Sequence, residues 1–304
     1  VCIVACGSSY HVGVVGKYNL ERMLRRPVEV SLASEFRYSD PIIGKGDLVI
    51  VISQSGETLD TMAALREAKK RGARILSIVN VVGSSIAREA DDVLYTWAGP
   101  EIAVATTKAY STQMVVLNLL GLYFGDIMGT VDYETYTAMV RGIQALPAQM
   151  EAILSDTAAI RQAARQLSGH DRVFFIGRNL DYALSLEGSL KLKEISYIHS
   201  EAYASGELKH GTISLIEEGT PVVAAATYMP LFDKAMSNVV EVQARGAHVL
   251  ALTTEQGAER MHSRVDAVLT VPQTETMLMP QLGVVPLQLL AYYIALERGC
   301  DIDK

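Results

Sequence analysis

The feature that most constrains this chain is an internal repeat. Gly46-Asp-Leu-Val-Ile-Val-Ile-Ser53 resembles Gly219-Thr-Pro-Val-Val-Ala-Ala-Ala226, and Gly72-Ala-Arg-Ile-Leu-Ser-Ile78 resembles Gly246-Ala-His-Val-Leu-Ala-Leu252. Asp91-Asp-Val-Leu-Tyr-Thr96 resembles Val265-Asp-Ala-Val-Leu-Thr270, and Leu117-Asn-Leu-Leu120 resembles Leu287-Gln-Leu-Leu290. Position 46 pairs with 219, 72 with 246, 91 with 265 and 117 with 287, a nearly constant offset. Four spaced matches in one order imply two similar domains in tandem, which suits the 304-residue length.

Each copy alternates short apolar runs with helical patterns. Residues 1–5, 47–52, 73–79 and 92–95 read as buried strands bounded by Gly, Ser and Asn. That rhythm implies an α/β fold, each domain a parallel sheet flanked by helices. The polar, Ala- and Gln-rich connector over 132–168 reads as helical, and Pro147 is expected to break it in two. The expected domains are residues 1–146 and 147–304, the first binding phosphate and the second carrying acid/base groups.

The chemistry is sought where the copies differ. Ser53-Gln-Ser-Gly-Glu-Thr58 follows a strand and precedes a helix. That is where an open parallel sheet presents ligands. Exposed N–H groups and the positive end of the helix dipole favour an anion there. Ser53, Ser55 and Thr58 add hydroxyls, and Gly56 lets the backbone come close. An ordinary helix cap would need Thr58 alone. The matching turn of the second copy, Thr227-Tyr-Met-Pro230, has lost the small hydroxyls. Two further small-residue turns, Cys6-Gly-Ser-Ser9 and Ala105-Thr-Thr-Lys108, are expected to line the same rim.

The second copy has its own specialised stretch between Leu190 and Gly211. On a helix, Glu187, Lys191 and Glu194 fall at i, i+4 and i+7 and share a face. For Glu187 and Lys191, a solvated ladder of charges and a functional role stand level. Glu194 lies among Leu, Ile and Tyr, surroundings in which a carboxylate serves as a general base. His210, in Lys209-His-Gly211, stands near enough in sequence to join it. The histidines His11, His170, His199, His210, His248 and His262 show no metal-ligand spacing, so no metal is expected.

A net charge of −7 excludes general binding to a nucleic-acid backbone, which needs clustered Lys and Arg. The longest apolar runs, 114–124 and 283–296, fall short of the about 20 residues of a membrane span and contain Asn118 and Gln288. Three cysteines, Cys2, Cys6 and Cys300, make no disulfide framework and suit a reducing cytoplasm. A chain that opens on a core strand is expected to be a piece of something longer.

Cys6-Gly-Ser-Ser-Tyr10, Ser34-Glu-Phe-Arg-Tyr38, the 53–58 turn, Thr107-Lys-Ala-Tyr110, Lys191 to His199, Gly206 to Gly211 and Val285-Pro-Leu-Gln-Leu-Leu-Ala-Tyr292 carry a resemblance. Together they resemble the isomerase half of the glutamine:fructose-6-phosphate amidotransferases, the glucosamine-6-phosphate synthases, along the whole chain. The resemblance implies two tandem sugar isomerase (SIS) domains, no cofactor, and a substrate among fructose 6-phosphate, glucosamine 6-phosphate and glucose 6-phosphate. It implies that Ser9, Ser53, Gln54, Ser55 and Thr58 hold the phosphate and that Val104 and Thr106 contact the sugar. The family often has Ser where Thr106 stands. It further implies that Glu194 moves a proton between C1 and C2, that Lys191 supports the enediol-like state, and that His210 opens the sugar ring from the neighbouring subunit of a homodimer.

Ammonia would come from a glutaminase domain that these residues do not include; Cys2 and Cys6, in a core strand, do not replace its nucleophile. The family's C-terminal tail, which follows an Asp-x-Asp like Asp301-Ile-Asp303, is also expected to be missing, with Lys304 too early to be its lysine. Two other readings remain open: a stand-alone phosphosugar isomerase or deglycase of the same group, and a non-catalytic sugar-phosphate sensor.

Overall fold

The computed structural model describes residues 1–261 and 264–303. His262, Ser263 and Lys304, and the expectations resting on them, lie outside the described residues. The chain divides into two compact units, the first mainly 1–136 and the second mainly 137–304.

In the first unit, five parallel strands stand in the order β2-β1-β3-β4-β5. They are β1 (Cys2–Ala5), β2 (Glu29–Leu32), β3 (Leu48–Ser53), β4 (Arg74–Val79) and β5 (Asp92–Tyr95). Between them run α1 (Gly7–Leu24), α2 (Ala33–Phe36), α3 (Leu59–Lys70) and α4 (Ser85–Glu89), and α5 (Lys108–Met128) follows. Strand β1 is buried throughout and β3 nearly so, as a sheet covered on both faces demands. One face packs Val4, Val49, Val51 and Ile75 against Leu65 and Ala68 of α3.

The second unit repeats this order as β7-β6-β8-β9-β10. Its strands are β6 (Arg172–Gly177), β7 (His199–Ala204), β8 (Pro221–Ala226), β9 (His248–Thr254) and β10 (Ala267–Val271). Its helices are α6 (Tyr133–Ser155), α7 (Ala158–Leu167), α8 (Leu180–Ser196), α9 (Phe232–Gln243), α10 (Glu255–Met261) and α11 (Met279–Glu297). The segment Thr276–Glu297 is long and apolar enough to cross a membrane, but 83% of its most apolar window is buried inside the protein.

The duplication extends to single hydrogen bonds. Asp91 accepts from Ile75 N through Oδ2 at 2.8 Å and donates its own N–H to Ile75 O at 3.0 Å. Asp266 makes the same pair with Val249, at 2.7 and 3.0 Å. In both copies the aspartate at the head of the last strand's lead-in closes the neighbouring strand's free edge.

One expectation fails in the connector. Helix α6 runs unbroken through Pro147. Its buried residues Met139, Leu146 and Ile153 recur every seven positions on both sides of the proline, so packing holds the helix across the lost backbone bond. The break comes instead at Asp156 and Thr157, where Asp156 Oδ1 accepts from Ala158 N at 3.2 Å.

Candidate functional site

In a parallel sheet of this order, chain connections leave β1 and β3 in opposite directions and open a crevice beyond their carboxyl ends. The turns that follow those two strands are 6–9 and 53–58. The helix after the second touches the first: Thr61 Oγ1 of α3 lies 3.7 Å from Cys6 Sγ.

The 53–58 turn is built backwards from an ordinary cap. Thr58 stands at the N-cap position of α3 but makes no side-chain cap; its Oγ1 lies 3.1 Å from Ser53 Oγ. Ser53 Oγ, in turn, accepts from Gly56 N at 3.0 Å. The first-turn N–H groups of α3 therefore keep no side-chain acceptor at Thr58, which suits an incoming anion. Gly56 has φ +67°, and a Cβ there would fall 2.0 Å from Ser84 Oγ, so only glycine fits. Ile86 N donates to Gly56 O at 3.0 Å and Asn80 N to Gln54 O at 3.1 Å, fastening the turn to the next loop.

Two acids stand at this helix start, and both are engaged. Glu57 accepts from Ser85 N at 2.8 Å, and that backbone bond holds its carboxyl below the usual range. Asp60 faces Arg37 at 3.9 Å. Ser55 Oγ accepts from Glu57 N at 3.2 Å. On the adjoining turn, Ser9 donates to Gln113 Oε1 of α5 at 3.0 Å. Thr106 is half-buried and Val104 exposed on the loop before α5, whose Ala109 N is held by Glu101 Oε2 at 3.1 Å.

The equivalent crevice of the second unit, between β6 and β8, is closed from within. Asp181, in the first turn of α8, accepts from Thr227 Oγ1 at 2.5 Å and from Tyr228 N at 2.9 Å. Its carboxylate takes donors that a ligand anion would otherwise take. Burial pushes its carboxyl up to about 6, against the pull of the Thr227 and Tyr228 bonds. The lost hydroxyls of this turn signal the asymmetry in sequence; the aspartate that fills the gap does not stand out there.

Further along α8, Lys191 and Glu187 are 2% and 0% exposed, so a solvated ladder is excluded. Lys191 Nζ lies 3.6 Å from Glu187 Oε1 and 2.5 Å from Glu194 Oε2. Glu194 is 31% exposed. The apolar setting expected for it gives way to an ion pair, because it sits in the helix's last turn, just before the left-handed C-cap at Tyr197. His210 ends the single-turn 3₁₀ helix Leu208–His210 and is exposed. Among the described residues, no group of three His, Cys, Asp or Glu side chains gathers to hold a metal ion.

A groove of about 1050 Å³ lies elsewhere, at the amino ends of β3 to β5 against α5. Leu76, Leu94, Leu120, Tyr123 and Phe124 line much of it, with Lys45, Asp47, Arg74 and Asp92 at its polar side.

Comparison with known proteins agrees with the repeat. The SIS domain family model matches residues 1–123 and again 166–298. A glutamine–fructose-6-phosphate aminotransferase (isomerizing) of Clostridium tetani is 56% identical over 304 residues, covering 100% of this chain and 50% of that protein. The chain thus spans about half the length of the curated relatives it matches. The solved C-terminal domain of glucosamine-fructose-6-phosphate aminotransferase from Francisella tularensis superposes with a TM-score of 0.96 at 39% identity, covering 100% of this chain and 86% of that one. A glucosamine-6-phosphate deaminase of Thermotoga maritima superposes less closely, with a TM-score of 0.78 at 25% identity over 100% and 87% of the two chains. Two matched segments, two sheets of one strand order and a full-length likeness to an aminotransferase C-terminal domain place this chain in the SIS domain family, among its tandem two-domain members.

Proposed function

We propose that the chain is the sugar-phosphate isomerase module of a glutamine–fructose-6-phosphate aminotransferase. The observation that carries the reading is the 53–58 turn: an uncapped helix start, three hydroxyls and an obligatory glycine at the switch point of a parallel sheet. The phosphate of fructose 6-phosphate sits on Ser53, Gln54, Ser55 and Thr58, with Ser9 beside them. Val104 and Thr106 contact the sugar.

Ammonia, delivered by a glutaminase domain of the whole protein, adds to C2 of the open ketose, and water leaves. Glu194 takes a proton from C1 and returns it to C2, so the ketose imine becomes the aldose amine, glucosamine 6-phosphate. Lys191 supports Glu194 and offsets the negative charge that develops on oxygen during the transfer. His210, from the neighbouring subunit of a homodimer, opens the ring. The enzyme works in the cytoplasm and takes no cofactor.

The identity of 56% with an aminotransferase over the whole chain, against 25% with a deaminase, supports this choice within the family. The test is solvent hydrogen exchange at C1 of fructose 6-phosphate, followed by NMR, in the chain with and without the further residues that the relatives carry. Exchange that depends on Glu194 is the expected result. Binding of sugar phosphate with no exchange in either form would favour a sensor.

A further inference from the structure

The two copies of the repeat cover one face of their sheets differently. In the second unit, α7 lies along α11 and against β10. Its buried residues Ile160, Ala163, Ala164 and Leu167 share one face, the pattern of an amphipathic helix. Its polar side chains fasten it to α11. Thr157 Oγ1, at its N-cap, lies 3.2 Å from Tyr293 Oη, the Arg161 guanidinium stacks over the Tyr293 ring at 4.3 Å, and Arg165 Nε lies 3.4 Å from Glu297 Oε1.

In the first unit, α5 is the counterpart of α11. The match that pairs 117 with 287 also pairs Leu119 with Leu289, Tyr123 with Tyr293 and Ile127 with Glu297. Leu289 and Tyr293 are half-buried, whereas Leu119, Tyr123 and Ile127 are 46%, 60% and 65% exposed. Spaced by four, these three form an apolar stripe along α5. Leu119 and Tyr123 border the groove of about 1050 Å³, with Leu76 of β4 and Leu94 of β5 on its other wall. The first unit thus has an open apolar groove where the second has α7. A contiguous apolar patch with a polar rim marks an interaction site, and a groove beside a helix takes an amphipathic helix.

The repeat also says where in the chain that helix belongs. Residues 168–171 join α7 to β6, and β6 stands in its sheet where β1 stands in the first. The counterpart of α7 therefore falls ahead of Val1. The solved relative from Francisella tularensis is a C-terminal domain, and this chain covers 50% of its Clostridium tetani relative, so such proteins carry residues on that side.

We propose that the groove beside α5 seats an amphipathic helix formed by residues that precede Val1 in the longer protein, and that this helix fastens the rest of that protein to the module. Its apolar face meets Leu119 and Tyr123. Because Ile127 stands where Glu297 takes Arg165, the seated face stays apolar to its end. The inference stands on the repeat and is independent of the sugar-phosphate reading.

The test uses the full-length protein with photoreactive benzoylphenylalanine in place of Tyr123. Isotopically light and heavy chains are mixed, so mass spectrometry separates cross-links within a chain from those between chains. Cross-links within a chain, to the segment just ahead of Val1, are the expected result. Cross-links between light and heavy chains at this groove would show that a second copy covers it and would overturn the inference, as would cross-links to any other segment or none. A second arm reads Leu119→Asp with Tyr123→Asp in the same protein. The melting temperature should fall and protease cleavage ahead of Val1 should quicken, while fructose 6-phosphate affinity stays at the wild-type level. Melting and cleavage both unchanged would overturn the inference as well.

Discussion

Lys191 Nζ lies 2.5 Å from Glu194 Oε2 and 3.6 Å from Glu187 Oε1, so one ammonium on α8 stands between two carboxylates. The inner one is fully buried and the outer one reaches solvent, which separates a supporting acid from one that can meet a substrate. Glu194→Gln keeps the shape and removes the base. Sugar-phosphate binding should persist while exchange at C1 falls by roughly a hundredfold or more, the scale of general base catalysis. Exchange at the wild-type rate would place the base elsewhere.

The same geometry makes a stability prediction. Lys191→Met leaves Glu187 at 0% exposure without its ammonium. Breaking a buried pair on one side costs about 3–5 kcal/mol. Urea unfolding should show a loss of that order, and adding Glu187→Gln to Lys191→Met should recover part of it. A single variant as stable as wild type would mean that this pair is not coupled.

At the anion cradle, Ser55→Ala with Thr58→Ala should weaken fructose 6-phosphate by about tenfold, or about 1.4 kcal/mol. Gly56→Ala should do more, since its Cβ would meet Ser84 Oγ at 2.0 Å at a φ of +67°. Calorimetry that finds unchanged affinity in both would remove the phosphate from this turn.

Complementation tests the shared site. If His210 serves the neighbouring subunit, neither Glu194→Gln nor His210→Ala homodimers turn over the cyclic sugar. A mixed dimer holds one site with both residues intact, so co-refolded protein should regain activity. Mixtures as inactive as their parents would show that both residues serve one chain, or that no dimer forms.

Asp181 predicts a pH dependence. Its folded carboxyl titrates near 6, against an ordinary value of 3.8, because burial disfavours the charge. A raised folded value means that the native state binds the extra proton. This group's contribution is therefore fully present below about pH 4 and is lost as pH rises through about 6, by about 3 kcal/mol at most. Asp181→Asn keeps an acceptor for Tyr228 N and cannot titrate. The stability of wild type minus that of the variant should fall across this window and then level off. A flat difference would show that folding leaves the titration of this carboxyl unshifted.

The sequence by itself determined the repeat, the parallel α/β class and the hydroxyl-rich turn at 53–58. Buried parallel strands must be continuous apolar runs, so 47–52 and 73–79 were legible within a residue of β3 and β4. Glycine and hydroxyls at 53–58 were legible because a strand-to-helix turn is a local event. The edge strands β2 and β7 were not, since Glu29–Leu32 and His199–Ala204 are half-exposed and carry no apolar run. Nor were the partnerships that define the crevices. Ser9 meets Gln113 across 104 positions and Asp181 meets Thr227 across 46, and no periodicity links such pairs. Only the tertiary structure decided that the second crevice is occupied by its own carboxylate, Asp181, because a buried charge takes whatever donors the fold brings within reach.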